Sequence, residues 1–512
     1  MQSQPVPEAF GGLVDLAADV LGGFVLFATD DYFAGKENLL RPEAPVWKEG
    51  AYTDKGKWMD GWESQRKREP GHDWAIVRLG APGVVRGVLV DTTHFKGNAP
   101  QAITLEGLEA PHTATAAELG ASDAWSPLVA QRAVKPDFQN VIALASPSRR
   151  VTHVRLHIHP DGGVARLRVF GEVAPDARVF WSAGSVDLGA VENGGAIAAQ
   201  SDAFFGPPQN MLLPGRGVNM GDGWETKRRR TPGSDWAVVR LARRGVLERI
   251  DLDTHFFKGN APQAVRIDGL DAASPSAAAL AGTKGWRTLV ERTQLVQHHS
   301  HLLTPDRPTP VTHVRVHIFP HGGVNRLRLH GHALDTGPEQ RAIAKLNALG
   351  AGKALALFQS CCGSRTWAQW MVDLRPFGSV RELFAEASEV WWSAAPSDWE
   401  EAFAAHPRIG QRSKAAPQSA RSATWSQGEQ RGVDGASSDT QSRLAALNEA
   451  YFKKHGFTFI VCATGKSAGE MLALLEDRLR RSRAQELDAA AVEQHKITAL
   501  RLEKWLRAEM ER

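Results

Sequence analysis

Two stretches decide the fold: Gly61–Leu79, GWESQRKREPGHDWAIVRL, and Gly223–Leu241, GWETKRRRTPGSDWAVVRL, are nearly one sequence written twice, 162 positions apart. Working outward, Val90–Leu108, VDTTHFKGNAPQAITLEGL, returns at the same spacing as Leu252–Leu270, LDTHFFKGNAPQAVRIDGL. Further on, Val151–Gly171, VTHVRLHIHPDGGVARLRVFG, returns as Val311–Gly331, VTHVRVHIFPHGGVNRLRLHG, 160 positions away. A repeat of this length is a whole domain and too long for a solenoid unit.

Within the repeats apolar and polar residues alternate over short runs, as in Ala75–Leu79 and Thr152–Ile158, and Gly, Pro, Asn and Asp punctuate them. That pattern predicts half-buried antiparallel strands. Many short strands with few helical stretches between them predict two tandem all-β jelly-roll sandwiches, over residues 1–175 and 176–335, packed as a pseudo-symmetric pair. After Asp335 the texture changes. The runs TGPEQRAIAKLNALGAGKALALF, SVRELFAEASEVWW and the final Glu470–Met510 carry apolar residues at helical spacing, which predicts a separate all-α domain over 340–512. Gly410–Gln430, GQRSKAAPQSARSATWSQGEQ, is too polar and Ser-rich for a core element and reads as a loop or lid beside a site.

The composition sets limits on function. Apolar residues make up 42% and charged residues 23% of 512, the balance of a globular chain of several domains. A net charge of +4 spread over the whole length gives no footprint for nucleic acid. No run approaches the roughly 20 apolar residues that span a bilayer, and MQSQPVPEAFGG lacks the features of a secretory signal, so a cytoplasmic location is expected. Three cysteines, two of them adjacent at Cys361 and Cys362, form no disulfide or zinc framework and read as reduced thiols.

The repeated motifs carry the chemistry of anion and amide recognition. Each W-E-x-x-R places an acid, Glu63 or Glu225, near a guanidinium, Arg66 or Arg228, which suits a carboxylate ligand. An Arg-rich sheet edge that deters pairing is the bland alternative. Each F-K-G-N-A-P-Q turn adds Lys96 and Asn98, or Lys258 and Asn260, the donors and acceptors a ureido-carboxylate needs; turn chemistry alone also explains its Gly, Asn and Pro. His153, Arg155, His157 and His159 share one face of a strand, but the second copy has Phe319 in the last place. Satisfied structural histidines therefore stand beside a metal site as readings, and no metal is assigned.

DDYFAGKENLL from Asp30, GDGWETKRRRTPGSDW from Gly221, both FKGNAPQ turns and both H-I-x-P-x-G-G-V-x-R-L-R ends resemble the allantoicase family. The resemblance covers roughly the first 335 residues. It implies galactose-binding-like tandem jelly rolls that hydrolyse allantoate to ureidoglycolate and urea. Hydrolysis calls for a general base, Glu63 or Glu225, and for cations on the carboxylate, Arg66, Lys96, Arg228 or Lys258, with Asn98 and Asn260 beside them.

In the helical part, A-A-H-P-R-I-G (Ala404–Gly410), W-S-Q-G-E-Q (Trp425–Gln430), LNEAYFKKHGFTFIVCATGKS from Leu447 and HKITALRL from His495 resemble the 2-oxo-4-hydroxy-4-carboxy-5-ureidoimidazoline (OHCU) decarboxylases. That resemblance implies a cofactor-free all-α enzyme forming S-allantoin, with His406 as catalytic histidine and Glu429 as its acid. It also implies a substrate site lined by Pro407, Ser426, Gln430 and the segment Phe459, Ile460, Val461, Cys462 and Ala463. Arg501 is a candidate carboxylate or ureido ligand, and Lys466 stands where a cation is expected after the F-x-V-C-A strand. The chain thus reads as a bifunctional ureide enzyme of small-molecule substrates, homo-oligomeric, without nucleic acid, membrane or cofactor. A jelly-roll ligand-binding module without hydrolase activity, fused to an active decarboxylase, is the other reading.

Overall fold

The structure, a computed structural model, describes residues 6–182, 184–282, 284–406, 438–463 and 466–512. The chain divides into two compact units: a β unit through Leu334 and, apart from a short piece at Trp181, a helical unit from Asp335 onward.

Each sandwich of the β unit is organised by one strand of 19 residues, Asp73–Asp91 in the first copy and Asp235–Asp253 in the second. The first half of Asp73–Asp91 lies between Phe24–Ala28 and Arg150–His159; its second half lies between Gln139–Ala143 and Arg166–Val173. The register slips where Val151 faces Gly83 and His153 faces Arg78, so the strand bends and passes from one layer to the other, making the corner of the sandwich. Ala102–Leu108 and Ser126–Ala133 extend the first layer, and Val14–Asp15 closes the second against Arg166–Val173. All of these pairings are antiparallel, and the second copy repeats the scheme around Asp235–Asp253.

Alternation supplies the core: Ala75, Val77, Val88 and Val90 of the long strand and Ile103, Leu105, Val154 and Leu156 of its neighbours are fully buried. Ala75–Leu79 departs from the half-buried expectation. Ile76, which faces away from the sandwich interior, is also buried, in a cluster with Leu108 and Leu119 beneath the short helix Ala116–Gly120. A reciprocal cap between Thr115 and Glu118 holds that helix in place. Trp62 and Trp224 are wholly buried, each donating its indole N–H to a backbone carbonyl, Asp30 at 2.7 Å and Asp202 at 2.8 Å. Fully burying one such ring contributes about 3 kcal/mol.

The helical unit starts its helices at serine caps: Ser364, Ser379, Ser467 and Ser482 each accept from a backbone N–H of the first turn. The last helix, Arg483–Met510, buries Ala490, Gln494, Ile497, Arg501 and Trp505, a stripe at steps of three and four residues. The expected F-x-V-C-A strand does not form. Phe459–Ala463 is buried but has no ladder partner among the described residues, and side chains satisfy part of its backbone instead. Arg478 donates to the Ile460 carbonyl, Glu493 accepts from the Cys462 N–H, and Lys466 Nζ donates to the Cys462 carbonyl, each at 2.7 Å.

Candidate functional site

Three motifs far apart in sequence meet at one place in each sandwich. Trp62–Glu63 forms a two-residue strand against Gly163–Val164, and Ala34 bridges Glu63 from the other side. The Gly163 N–H donates to the Asn98 carbonyl at 2.7 Å, which draws in the F-K-G-N turn. Asn98 Nδ2 then donates to Glu63 Oε1 at 2.7 Å. Only glycine fits at 163, because a Cβ there would collide with the Phe95 ring. The second copy repeats the arrangement with Gly323 N–H to Asn260 carbonyl at 2.9 Å and Asn260 Nδ2 to Glu225 Oε1 at 2.5 Å.

The turn itself is strained in both copies. His94 and Phe256, at matching positions, hold φ of 72° and 70°, the left-handed region that non-glycine residues avoid. The backbone N–H of His94 donates to the Asp137 carboxylate and that of Phe256 to the His298 ring. Asp137 and His298 are left-handed as well. Such strain gathers where a loop must present groups in a fixed place. Asp91 and Asp253 act as turn formers, accepting from the Thr93 and His255 N–H groups.

Of the residues named from sequence, the structure brings Glu63 to Asn98 and Glu225 to Asn260. The cations stay further out. Lys96 is 79% exposed with Asp137 at 3.7 Å, Lys258 is exposed, and Arg66 and Arg228 are exposed without an ion pair to any described residue. Burial pushes the Glu63 carboxyl above its ordinary value, and the Asn98 hydrogen bond offsets this only in part.

The histidines on Arg150–His159 are engaged with other partners. His153 is fully buried, its Nδ1 2.8 Å from the Thr152 hydroxyl, and burial brings its pKa down to about 4, so it is neutral. His157 joins Glu106 at 2.8 Å and His72 at 2.9 Å, while His159 meets the Thr104 hydroxyl. Among the described residues no group of three His, Cys, Asp or Glu side chains is placed to hold a metal ion.

In the helical unit His406 follows the end of helix Pro396–Ala404, its N–H bonded to the Phe403 carbonyl at 3.1 Å. Gly363 packs against Ala405, where a Cβ would collide, so the Cys362–Ser364 turn lies beside this helix end. Arg501, almost wholly buried, reaches the Ser360 carbonyl at 3.5 Å and acts electrostatically on Cys362. His406 and Arg501 therefore flank one turn. Burial pushes the Cys362 thiol up to about 11, which makes it a packing group. Pro407, Ser426, Glu429 and Gln430 lie outside the described residues.

Sequence reasoning passed over the loop between Leu40 and Gly61. Asp30 and Asp202 stand 172 positions apart but Gly61 and Gly223 only 162, so ten extra residues fall in the first copy just before its W-E motif. They fold into a hairpin, Tyr52–Thr53 against Gly56–Lys57, and place Trp47 5.8 Å from the His94 ring. His94 was an unassigned position inside its motif. The change of spacing was the signal available.

Tandem jelly rolls with paired acid–amide turns, followed by an all-α unit with a histidine at a helix end, define a two-part enzyme of small ureide substrates. Residues 14–174 and 186–334 match the allantoicase repeat model, and 347–503 match that of the OHCU decarboxylases. An allantoicase of Dictyostelium discoideum is 41% identical over 319 residues, 62% of this chain and 86% of that protein. A probable allantoicase of Burkholderia pseudomallei is 45% identical over 330 residues, 62% of this chain and 94% of its own. The crystal structure of allantoicase from Saccharomyces cerevisiae superposes with a TM-score of 0.53 at 34% identity, over 62% of this chain and 93% of that one. The chain belongs to the allantoicase family and carries an OHCU decarboxylase domain behind it. Among the described residues no helix is long and apolar enough to cross a membrane.

Proposed function

We propose that the β unit hydrolyses allantoate to S-ureidoglycolate and urea, and that the helical unit decarboxylates OHCU to S-allantoin. The observation that carries the first half is the hydrogen-bonded acid and amide, Glu63 with Asn98, built from three distant motifs and echoed in the second copy by Glu225 with Asn260. In the hydrolysis a glutamate takes a proton from water, and the oxygen bonds to the carbon that bears both ureido groups. The C–N bond to one ureido group breaks, and its nitrogen takes up a proton to leave as urea. The exposed Arg66 and Lys96, or Arg228 and Lys258, hold the substrate carboxylate.

In the helical unit loss of carbon dioxide leaves an electron pair on the ring carbon. His406, with Glu429 as its acid, delivers the proton that quenches it. Arg501 and the Phe459–Ala463 segment hold the substrate. The reading also makes the chain a cytoplasmic homo-oligomer. Three buried cysteines outside any disulfide suit a reducing compartment, and the exposed Phe204, Phe205, Val218 and Leu302 supply apolar surface for self-association.

The deciding test measures urea from allantoate, with and without chelator, and carbon dioxide from OHCU, using the full chain. Urea under both conditions is the expected result. Carbon dioxide without urea would favour a binding module fused to a decarboxylase, and normal urea release from the Glu63→Gln, Glu225→Gln and double variants would remove both glutamates from the reaction.

A further inference from the structure

We infer that the allantoate site works in the first sandwich alone, at Glu63 and Asn98 beneath the 41–60 loop, with His94 tying that loop down. The matching place in the second sandwich is a structural copy without that cover. The inference rests on the hydrolase reading and adds to it which copy carries the site and what covers it.

The two places share a scaffold and differ in what stands above it. In the first copy Asp60 roots the loop, accepting from the Val46 N–H at 3.0 Å and from the buried Arg166 at 2.9 Å. From that root the loop reaches over the F-K-G-N turn, where Pro45 accepts from His94 Nε2 at 3.3 Å and Trp47 packs against the same ring. Lys57 lies over Trp47 and Lys48 over Trp58, at 4.1 and 4.3 Å from the ring centres, so cations and aromatic faces are fixed together at the rim. An anion with flat ureido arms meets ammonium charge and aromatic surface on one side and the acid–amide pair on the other. A cover of this kind also removes water from Glu63, and a carboxylate so desolvated is a stronger base.

The second copy keeps an aspartate and an arginine at the root, Asp222 and Arg326, but lacks what stands above them in the first. Its loop is ten residues shorter and turns through Met220–Asp222, which brings the Met220 sulfur to 3.6 Å from Asn260 Nδ2. The amide that would meet a ureido oxygen is thus occupied by a thioether. Phe256 replaces His94 and has no ring nitrogen with which to hold a loop, and Phe204 and Phe205 stand exposed nearby in sequence to the shortened turn.

The test compares Glu63→Gln with Glu225→Gln in the full-length protein, reading urea from allantoate and, as a check on folding, carbon dioxide from OHCU. E63Q is expected to lose about 100-fold or more in kcat, the usual contribution of a general base, and E225Q to stay within about twofold, given that exchanges away from a site act weakly. Equal losses from the two variants, or a loss confined to E225Q, overturn the inference while leaving the hydrolase reading intact. A wild-type protein that releases no urea overturns that reading, and this one with it. His94→Phe, which installs the second copy's residue, is expected to raise KM about fivefold at nearly constant kcat, as loss of one hydrogen bond would. His94→Asn, which tolerates the left-handed backbone and keeps a donor, is expected to restore it. An unchanged KM in H94F removes the loop from the site.

Discussion

Asp60→Asn removes one charge and almost no volume from the root of the 41–60 loop. Asp60 and Arg166 have side chains 4% and 1% exposed and meet at 2.9 Å. Three backbone carbonyls, of Glu43, Asp60 and Ala165, also accept from Arg166 and soften the loss. Breaking a buried pair by removing one partner costs about 3–5 kcal/mol, and the carbonyls put this case near about 3. At about 2–4 °C per kcal/mol for a domain of this size, the β unit should melt about 6–12 °C earlier. The second copy supplies the control. Asp222, at the matching position, caps a turn through the Val218 and Asn219 N–H groups, and Arg326 takes its backbone carbonyl, so Asp222→Asn should cost about 1 kcal/mol. Burial would raise the Asp60 pKa, but Arg166, the Val46 N–H and Arg41 outweigh it and the net shift is downward. Its stabilisation is then complete above the unfolded value of about 3.9 and lost as pH falls through the lower folded value. The gap between wild type and D60N should therefore be constant at neutral pH and close in strong acid. Calorimetry of D60N and D222N across pH, with urea release beside it, checks this; equal melting of the two variants would refute the argument.

Further outcomes are open to measurement. With Glu63 as base and its pKa raised, kcat/KM for allantoate should fall on the acid side with a midpoint above the ordinary glutamate value of 4.5, in wild type and E225Q alike; a limb at the ordinary value counts against Glu63. Gly163→Ala should displace Phe95, cost about 1–3 kcal/mol and cut urea release, whereas Gly323→Ala should cost a similar amount and spare it. Glu486→Gln leaves the buried Arg478 without the negative charge that meets it at 2.9 Å, and a single amide oxygen must then serve both Arg478 and the Tyr451 hydroxyl. A loss of about 3–5 kcal/mol and of decarboxylation is expected, since Arg478 also holds the Ile460 carbonyl, and an unshifted melt would contradict this. Cys362, with its thiol pushed up to about 11, should resist iodoacetamide in native protein at pH 8 and react once unfolded, by mass spectrometry.

The architecture was legible because the chain states it twice. Asp73–Asp91 and Asp235–Asp253 fall 162 positions apart, the spacing of the motifs around them. Alternation revealed strands but not their length, since nothing in a period of two marks where a strand bends from one layer into another. The double burial of Ile76 escaped it for a related reason: what covers the outer face comes from Ala116–Gly120, forty residues away. Glu63, Asn98 and their partners stood in repeated motifs and were found there. His94 and Asp60 were missed because each makes its contacts with a loop that is ten residues longer in the first copy, and what two repeats share does not point to such a difference. The Phe459–Ala463 segment reads as a strand by composition, and only the positions of Arg478, Glu493 and Lys466 reveal another way to satisfy its backbone.

In each sandwich the first strand pairs with the last: Val14 faces Gly171, and Val186 faces Gly331. Chain entry and chain exit therefore sit side by side on one seam, and the body between them is a closed circuit. A gene segment encoding such a circuit can be copied in tandem, or joined to an unrelated domain, without any strand losing its neighbour. It can also be opened elsewhere. A permuted first sandwich, its old ends bridged by a short linker and new ends cut at the exposed Tyr52–Lys57 hairpin, should keep every pairing of the two layers.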